Sequence, residues 1–264
     1  MRFLFSLLLA ISLTANAAQQ QPLALDQCID QAPFGFPTLK KENVSSICRD
    51  GHFIVYDNSA KIPAFASYVL TPEKAVGCLE RTNSFAADQS LQKSSASTIK
   101  DYAKSGYDKG HMVNSGDMRW SIQAEEDSFI LSNMAPQLPG FNRGIWKELE
   151  DATRAWTINR KSPILIYVGP IYNKYQDSTI GKGLVTVPHA FYKILIDINT
   201  KEMLVFYFLH ESSSDPLDKF ITSLAQVQKE TGITFSVPKD VKSTELWQMI
   251  TKSGRKAKEL ACKN

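Results

Sequence analysis

Hydrophobic and polar positions along the chain follow two different periods. Runs of β-branched and aromatic residues over 53–56, 64–70, 163–168, 189–198 and 203–209 read as strands. Asp57-Asn58-Ser59 separates the first two runs and Asn199-Thr200-Lys201-Glu202 the last two, so each pair predicts a hairpin across turn-forming side chains. Residues 129–131 offer one more short strand. A helical period governs 144–160, where Trp146, Leu149, Thr153 and Trp156 share one face and Lys147, Glu150 and Arg154 the other. A second helix is expected over 217–227 from Leu217, Phe220, Ile221, Leu224 and Val227, ending at Gly232, and a basic helical tail from Lys252. Residues 28–48, rich in Pro, Gly and Phe, carry no sustained period and read as a stapled surface loop. The pattern predicts an α+β fold, a central and mostly antiparallel sheet flanked by helices.

The N-terminus follows a different logic. Met1-Arg2, the apolar run 3–13 and Ala15-Asn16-Ala17 match a secretory signal, with cleavage expected after Ala17 and a secreted or periplasmic product. The run is too short to cross a bilayer core of about 30 Å as a helix, and no later run approaches that length, so no stable membrane association is expected. No repeat, low-complexity block or long linker divides the remainder, and residues 18–264 are expected to form a single domain.

Cys28, Cys48, Cys78 and Cys262 all follow the cleavage point, and thiols in an oxidising compartment tend to pair. Three pairings are open; the favoured one joins Cys28 to Cys48 locally and Cys78 to Cys262, tying down the C-terminal segment. No C-x-x-C or Cys/His spacing supports a zinc site. Hydrophobic residues make up 43% and charged residues 22%, an ordinary globular balance. Net charge is only +3, so any case for a polyanionic substrate rests on a local site and not on bulk electrostatics.

That site is suggested by one dense stretch. Tyr107-Asp108-Lys109-Gly110-His111 is followed by Ser132-Asn133-Met134-Ala135-Pro136-Gln137, then by Phe141-Asn142-Arg143-Gly144-Ile145-Trp146, Glu150 and Arg154. Cleaving a phosphodiester needs a positioned nucleophile, a base, and positive charge on the phosphoryl and leaving oxygens; a histidine, an amide oxygen for a cation and several basic side chains could supply these. The ordered series, with Arg81, Phe85 and Asp88 upstream, resembles the DNA/RNA non-specific endonuclease family and its ββα-metal finger, tightly over 81–154 and loosely over 48–209. The resemblance implies that DNA and RNA are the substrates and that sequence preference is low. It also makes His111 the general base and Asn142 the direct protein ligand of a hydrated Mg²⁺, with Mn²⁺ able to use similar donors. Glu150 would orient the metal's waters, Asn133 would hold the base or substrate, and Arg81 and Arg154 would meet phosphate oxygens. Lys109 stands where the family has arginine, which keeps the charge and loses the bidentate fork.

Two other functions fit the same residues: a nucleic-acid-binding protein on this scaffold with weakened catalysis, for which Lys109 speaks, and a phosphodiesterase acting on small molecules. His52, His189 and His210 have no carboxylate or second histidine at a relay spacing and read as structural. Ser94, Ser95 and Ser97 lack the strained turn of a hydrolase nucleophile, and no Gly-rich phosphate loop is present.

Overall fold

The computed structural model describes residues 23–245 together with Trp247 and Cys262. The expected signal sequence and all of the basic tail except Cys262 lie outside the described residues. Nine strands carry the architecture: β1 (Val44–Arg49), β2 (His52–Asp57), β3 (Ile62–Leu70), β4 (Asp108–His111), β5 (Met134–Gln137), β6 (Ile164–Ile171), β7 (Ala190–Asp197), β8 (Glu202–Leu209) and β9 (Lys242–Ser243). The main sheet has seven strands in the order β9-β8-β7-β6-β3-β2-β1, antiparallel throughout except for the short β8–β9 pair. Its principal helices are α1 (Ile122–Ser128), α2 (Lys147–Arg160) and α3 (Leu224–Thr231).

The central strands are mostly apolar because both faces of the sheet are covered, with Ser67 of β3 and Lys193 of β7 as buried polar exceptions. Alternate residues of one strand enter different cores. Ile164, Ile166 and Val168 of β6 join Trp146, Leu149 and Trp156 of the α2 side, whereas Leu165 and Tyr167 face Val227, Ile233 and Phe235 on the other. α2 is fixed on the first face by aromatic contacts: Trp156 stacks on Phe206 with ring centroids 6.3 Å apart, and its indole N–H donates to the Trp247 carbonyl at 3.0 Å. The site is built on this face.

Both expected hairpins are present, β2–β3 and β7–β8. The turn of the second is closed by Asp197, whose carboxylate accepts from the backbone N–H of Asn199 and Thr200. The favoured disulfides form as well, Cys28–Cys48 and Cys78–Cys262.

Four expectations are corrected. Residues 28–48 are not simply a surface loop, since they contain most of a 3₁₀ helix (Leu25–Gln31) and strand β1, and both cysteines of the staple are fully buried. Strand β1 was hidden because it lies at the sheet edge and only its second half faces the core. Residues 129–131 form no strand; they close α1 and enter a 3₁₀ turn, with one isolated bridge from Ile130 to Ala86. The helix expected over 217–227 splits into a 3₁₀ turn (Leu217–Phe220) and α3. Between them Thr222 donates its N–H to Val205, and the Ser223 hydroxyl caps α3 by accepting from Gln226 N. The helix expected from Gly144 starts regularly only at Lys147, because Gly144 adopts φ −101° and ψ −116° and kinks the entry.

Candidate active site

Two short strands and a helix form a finger on the α2 face. β4 pairs antiparallel with β5, setting Asp108 opposite Gln137 and His111 opposite Met134. Gly110 is required by close packing: a Cβ there would lie 2.1 Å from Oε1 of the buried Gln137. From β5 the chain turns at Leu138-Pro139. The Asn142 N–H donates to the Leu138 carbonyl at 2.9 Å, starting the helical run that continues past the kink into α2.

His111 ends β4 with only 8% of its surface exposed. Its ring lies 4.9 Å from Phe129, nearly perpendicular, and 5.7 Å from Phe85. Each of those rings carries a cation, Arg81 at 4.7 Å from Phe129 and Lys109 at 4.5 Å from Phe85. Burial, reinforced by Arg81 and Lys109, lowers the His111 pKa to about 3, so the imidazole is neutral at physiological pH.

Across the cleft, the Asn142 amide nitrogen donates to Asp108 Oδ2 at 2.9 Å, and Arg143 clamps the same carboxylate from Nε and Nη2 at 2.8 and 2.6 Å. With its nitrogen committed, the amide presents its carbonyl oxygen as the remaining donor. Those bonds outweigh burial and hold the Asp108 carboxyl below its usual pKa. Glu150, one helical stretch further on, is 7% exposed and accepts no hydrogen bond among the described residues. Burial raises its pKa to about 7, against the pull of Lys193 and Arg154. Lys193 is itself fully buried on β7, with Nζ 4.8 Å from the Trp146 ring and no hydrogen-bond partner among the described residues.

Arg154 is locked in place. It donates to Asp117 at 2.7 Å, to Asn114 at 3.2 Å and to Asp151, while Asp117 accepts at 2.7 Å from the Tyr68 hydroxyl of β3. Burial alone would lower the guanidinium pKa; the Asp117 ion pair reverses that and raises it. Arg81 is held by Asn83 and Ser115, at 2.8 and 3.0 Å.

These groups line one cleft of about 370 Å³. Its walls carry Arg81, Lys109, Arg119, Arg143, Lys147 and Arg154 against the carboxylates of Glu150 and Asp151. A nearly neutral protein therefore concentrates cationic side chains at one place, where they suit phosphate oxygens.

Six of the seven residues expected at the site, Arg81, Lys109, His111, Asn142, Glu150 and Arg154, meet in the cleft. Asn133 does not. It is fully buried behind the finger, where Oδ1 accepts from Val113 N and Nδ2 donates to the carbonyls of Val113 and Ser128. It braces the chain two residues beyond His111 and is not placed to touch substrate. Sequence inspection missed Arg119, Asp117, Lys193 and the anchoring role of Asp108, all of which depend on partners far away in the chain. The donor set suits a hard, hydrated divalent cation. Asn142, whose amide nitrogen is committed to Asp108, and Glu150 both line the cleft and offer oxygen donors, and among the described residues no cluster of three or more His, Cys, Asp or Glu is present.

A two-strand-and-helix finger that sets a neutral histidine and an oxygen donor in a cationic cleft, on a mixed sheet with flanking helices, defines a metal-finger nuclease fold. Comparison with known proteins gives the same class. A family model described as DNA/RNA non-specific endonuclease matches residues 32–241. The chain is 30% identical to the mitochondrial endonuclease G of Homo sapiens, over 77% of this chain and 72% of that protein. It is 31% identical to nuclease C1 of Cunninghamella echinulata var. echinulata, over 73% and 83% respectively. A solved chain from the crystal structure of the EndoG/EndoGI complex superposes with a TM-score of 0.73 at 28% identity, covering 82% of this chain and 95% of that one. The chain belongs to the DNA/RNA non-specific endonuclease family, and it is an endonuclease.

Proposed function

We propose that this enzyme is a secreted, Mg²⁺-dependent endonuclease that hydrolyses phosphodiester bonds in DNA and RNA with little sequence preference. The observation that carries the proposal is the convergence, in one cleft, of a neutral imidazole, an anchored amide oxygen and six cationic side chains. Nucleases of this family generally depend on a divalent metal. Asn142 and Glu150 are the residues that would hold it, Asn142 directly and Glu150 through its waters; the ion would supply positive charge to the phosphoryl and leaving oxygens.

His111 takes the proton from the attacking water at a ring nitrogen. Its low pKa guarantees the free lone pair at neutral pH, and the basicity it gives up is offset by exact placement between Phe85 and Phe129. Arg81, Lys109 and Arg154 meet non-bridging phosphate oxygens, and the prior fixing of Arg154 by Asp117 spares it reorganisation when charge develops. Contacts to phosphate and sugar carry no base information, which supports low sequence preference.

Residues 1–17 and the pairing of all four cysteines support export to an oxidising compartment, although several relatives are named as mitochondrial proteins. Terminal sequencing of the mature protein should begin at Ala18; retention of residues 1–17 on the active enzyme would overturn export. For the chemistry, plasmid DNA and RNA are incubated with and without chelator. Chelation and His111→Ala are each expected to slow cleavage by about 10²-fold or more, and Asn142→Ala to abolish the metal response. Wild-type rates in His111→Ala would refute the proposed base.

A further inference from the structure

The end of β8 reaches across to the turn that presents Asn142, and one side chain makes the connection. His210 Nε2 accepts from the backbone N–H of Leu138 at 2.7 Å, and Nδ1 lies 2.7 Å from the Pro188 carbonyl. Both contacts work together in one form only: a neutral ring with its proton on Nδ1, donating to Pro188 and accepting from Leu138. Leu138 is the hinge between β5 and the helical run, and its carbonyl in turn accepts from Asn142 N at 2.9 Å. The same imidazole meets the ring of Phe141, the residue before Asn142, edge to face at 5.4 Å, and that of Phe191 at 5.0 Å.

We propose that His210 is a positioning residue for metal binding, holding Leu138 and Phe141 so that the Asn142 oxygen is aimed into the cleft before any ion arrives. The proposal rests on Asn142 being the metal ligand. Without the imidazole acceptor the Leu138 N–H loses its partner at a turn where Pro139 has no N–H of its own to share the load. The turn then relaxes, and the Asn142–Asp108 bond must hold the ligand alone. His210 lies outside the cleft and touches no reacting atom, so its loss should act on metal affinity before it acts on the chemical step.

The test uses the full chain. Mn²⁺ binding is measured by calorimetry without substrate, plasmid cleavage is measured against metal concentration, and hydrogen exchange is followed at the Leu138 amide. His210→Phe keeps a ring against Phe141 and removes both nitrogens. It is expected to weaken Mn²⁺ binding roughly 10-fold or more, with a parallel rise in the metal needed for half-maximal cleavage and a rate at saturating metal close to the wild type. His210→Gln, which can accept from Leu138 and donate to Pro188, should restore most of the affinity. In the wild type the Leu138 amide should be protected from exchange. A His210→Phe protein with wild-type Mn²⁺ affinity overturns the proposal, as does an unprotected Leu138 amide in the wild type, a measurement that needs no variant to fold. Asn142→Ala separates the layers: unchanged Mn²⁺ binding in that variant removes the ligand assignment and the inference with it. Binding lost in Asn142→Ala and kept in His210→Phe removes the inference alone.

Discussion

Glu150 and His111 show how burial acts in opposite senses on an acid and a base. A carboxyl with a folded pKa of about 7, against an ordinary value of 4.5, binds more protons folded than unfolded between those values. Its contribution to stability is therefore present below pH 4.5 and is lost as pH rises through 7. Activity runs the other way, because an ionised Glu150 is the form that can orient a metal's waters. Cleavage at limiting metal should rise through about pH 7, and Glu150→Gln should remove that limb while slowing cleavage by about 10- to 100-fold. In metal-free buffer at pH 8 the same variant should melt higher than the wild type; a lower melting temperature would contradict the burial account. Lys109 offers a gain instead of a loss. Its Nζ lies over Phe85 as a point charge, and Lys109→Arg should raise kcat/KM on DNA by about 10-fold or more, the worth of one added charge-assisted hydrogen bond. A fall in kcat/KM would mean that the larger guanidinium does not fit the cleft. At this scale the sequence was informative where residues form an ordered motif, so Arg81, His111, Asn142, Glu150 and Arg154 could all be named. Asp108 stood in the motif without a role because its bonds to Asn142 and Arg143 cross 34 and 35 positions. Arg119 had no local signal at all.

Elements were legible in proportion to their length and burial. The long strands β3, β6, β7 and β8 read clearly because covering both faces makes them predominantly apolar, Lys193 and Ser67 being the buried exceptions. β4 and β5, with four residues each, are too short to display a period, although they carry the base and fix its register. β1 escaped notice because half of it is wet, and the segment 217–231 split because Ile221 bridges to Phe206 instead of continuing a helix. The finger's tightest point is the crossing of Gly110 and Gln137. Gly110→Ala should cost about 1–3 kcal/mol in urea denaturation, the range for overpacking a filled interior, and should reduce cleavage because the displaced strand carries His111. Adding Gln137→Ala removes the atoms in the way and should recover much of the stability. An unaltered denaturation midpoint in Gly110→Ala would show that the two strands separate easily.

For the molecule as a whole, charge is distributed by location more than by amount. The +3 total said little about polyanions, while the cleft gathers six cationic side chains. Acid sensitivity is also set by buried groups. His52 is fully buried, and burial lowers its pKa to about 3, as it does that of His111. Both histidines take up protons on unfolding below pH 6.5, so the stability they allow is complete above that pH and is lost as pH falls toward 3. The denaturation midpoint should drop from pH 7 to pH 4, and His52→Phe should make the drop shallower; an identical slope would show that other groups govern it. The Cys78–Cys262 bond joins residues 184 positions apart, so residues 78–262 form a covalent ring that contains every residue of the cleft. Mechanically, the ring is an unstretchable unit. If the chain were pulled from its two ends, β2 and β3 could be peeled away and lengthen the molecule, but β1, closed within the Cys28–Cys48 ring, and the segment from Arg81 to Arg154 could add no length until the bonds were reduced, so tension applied at the ends bypasses the backbone that carries the site.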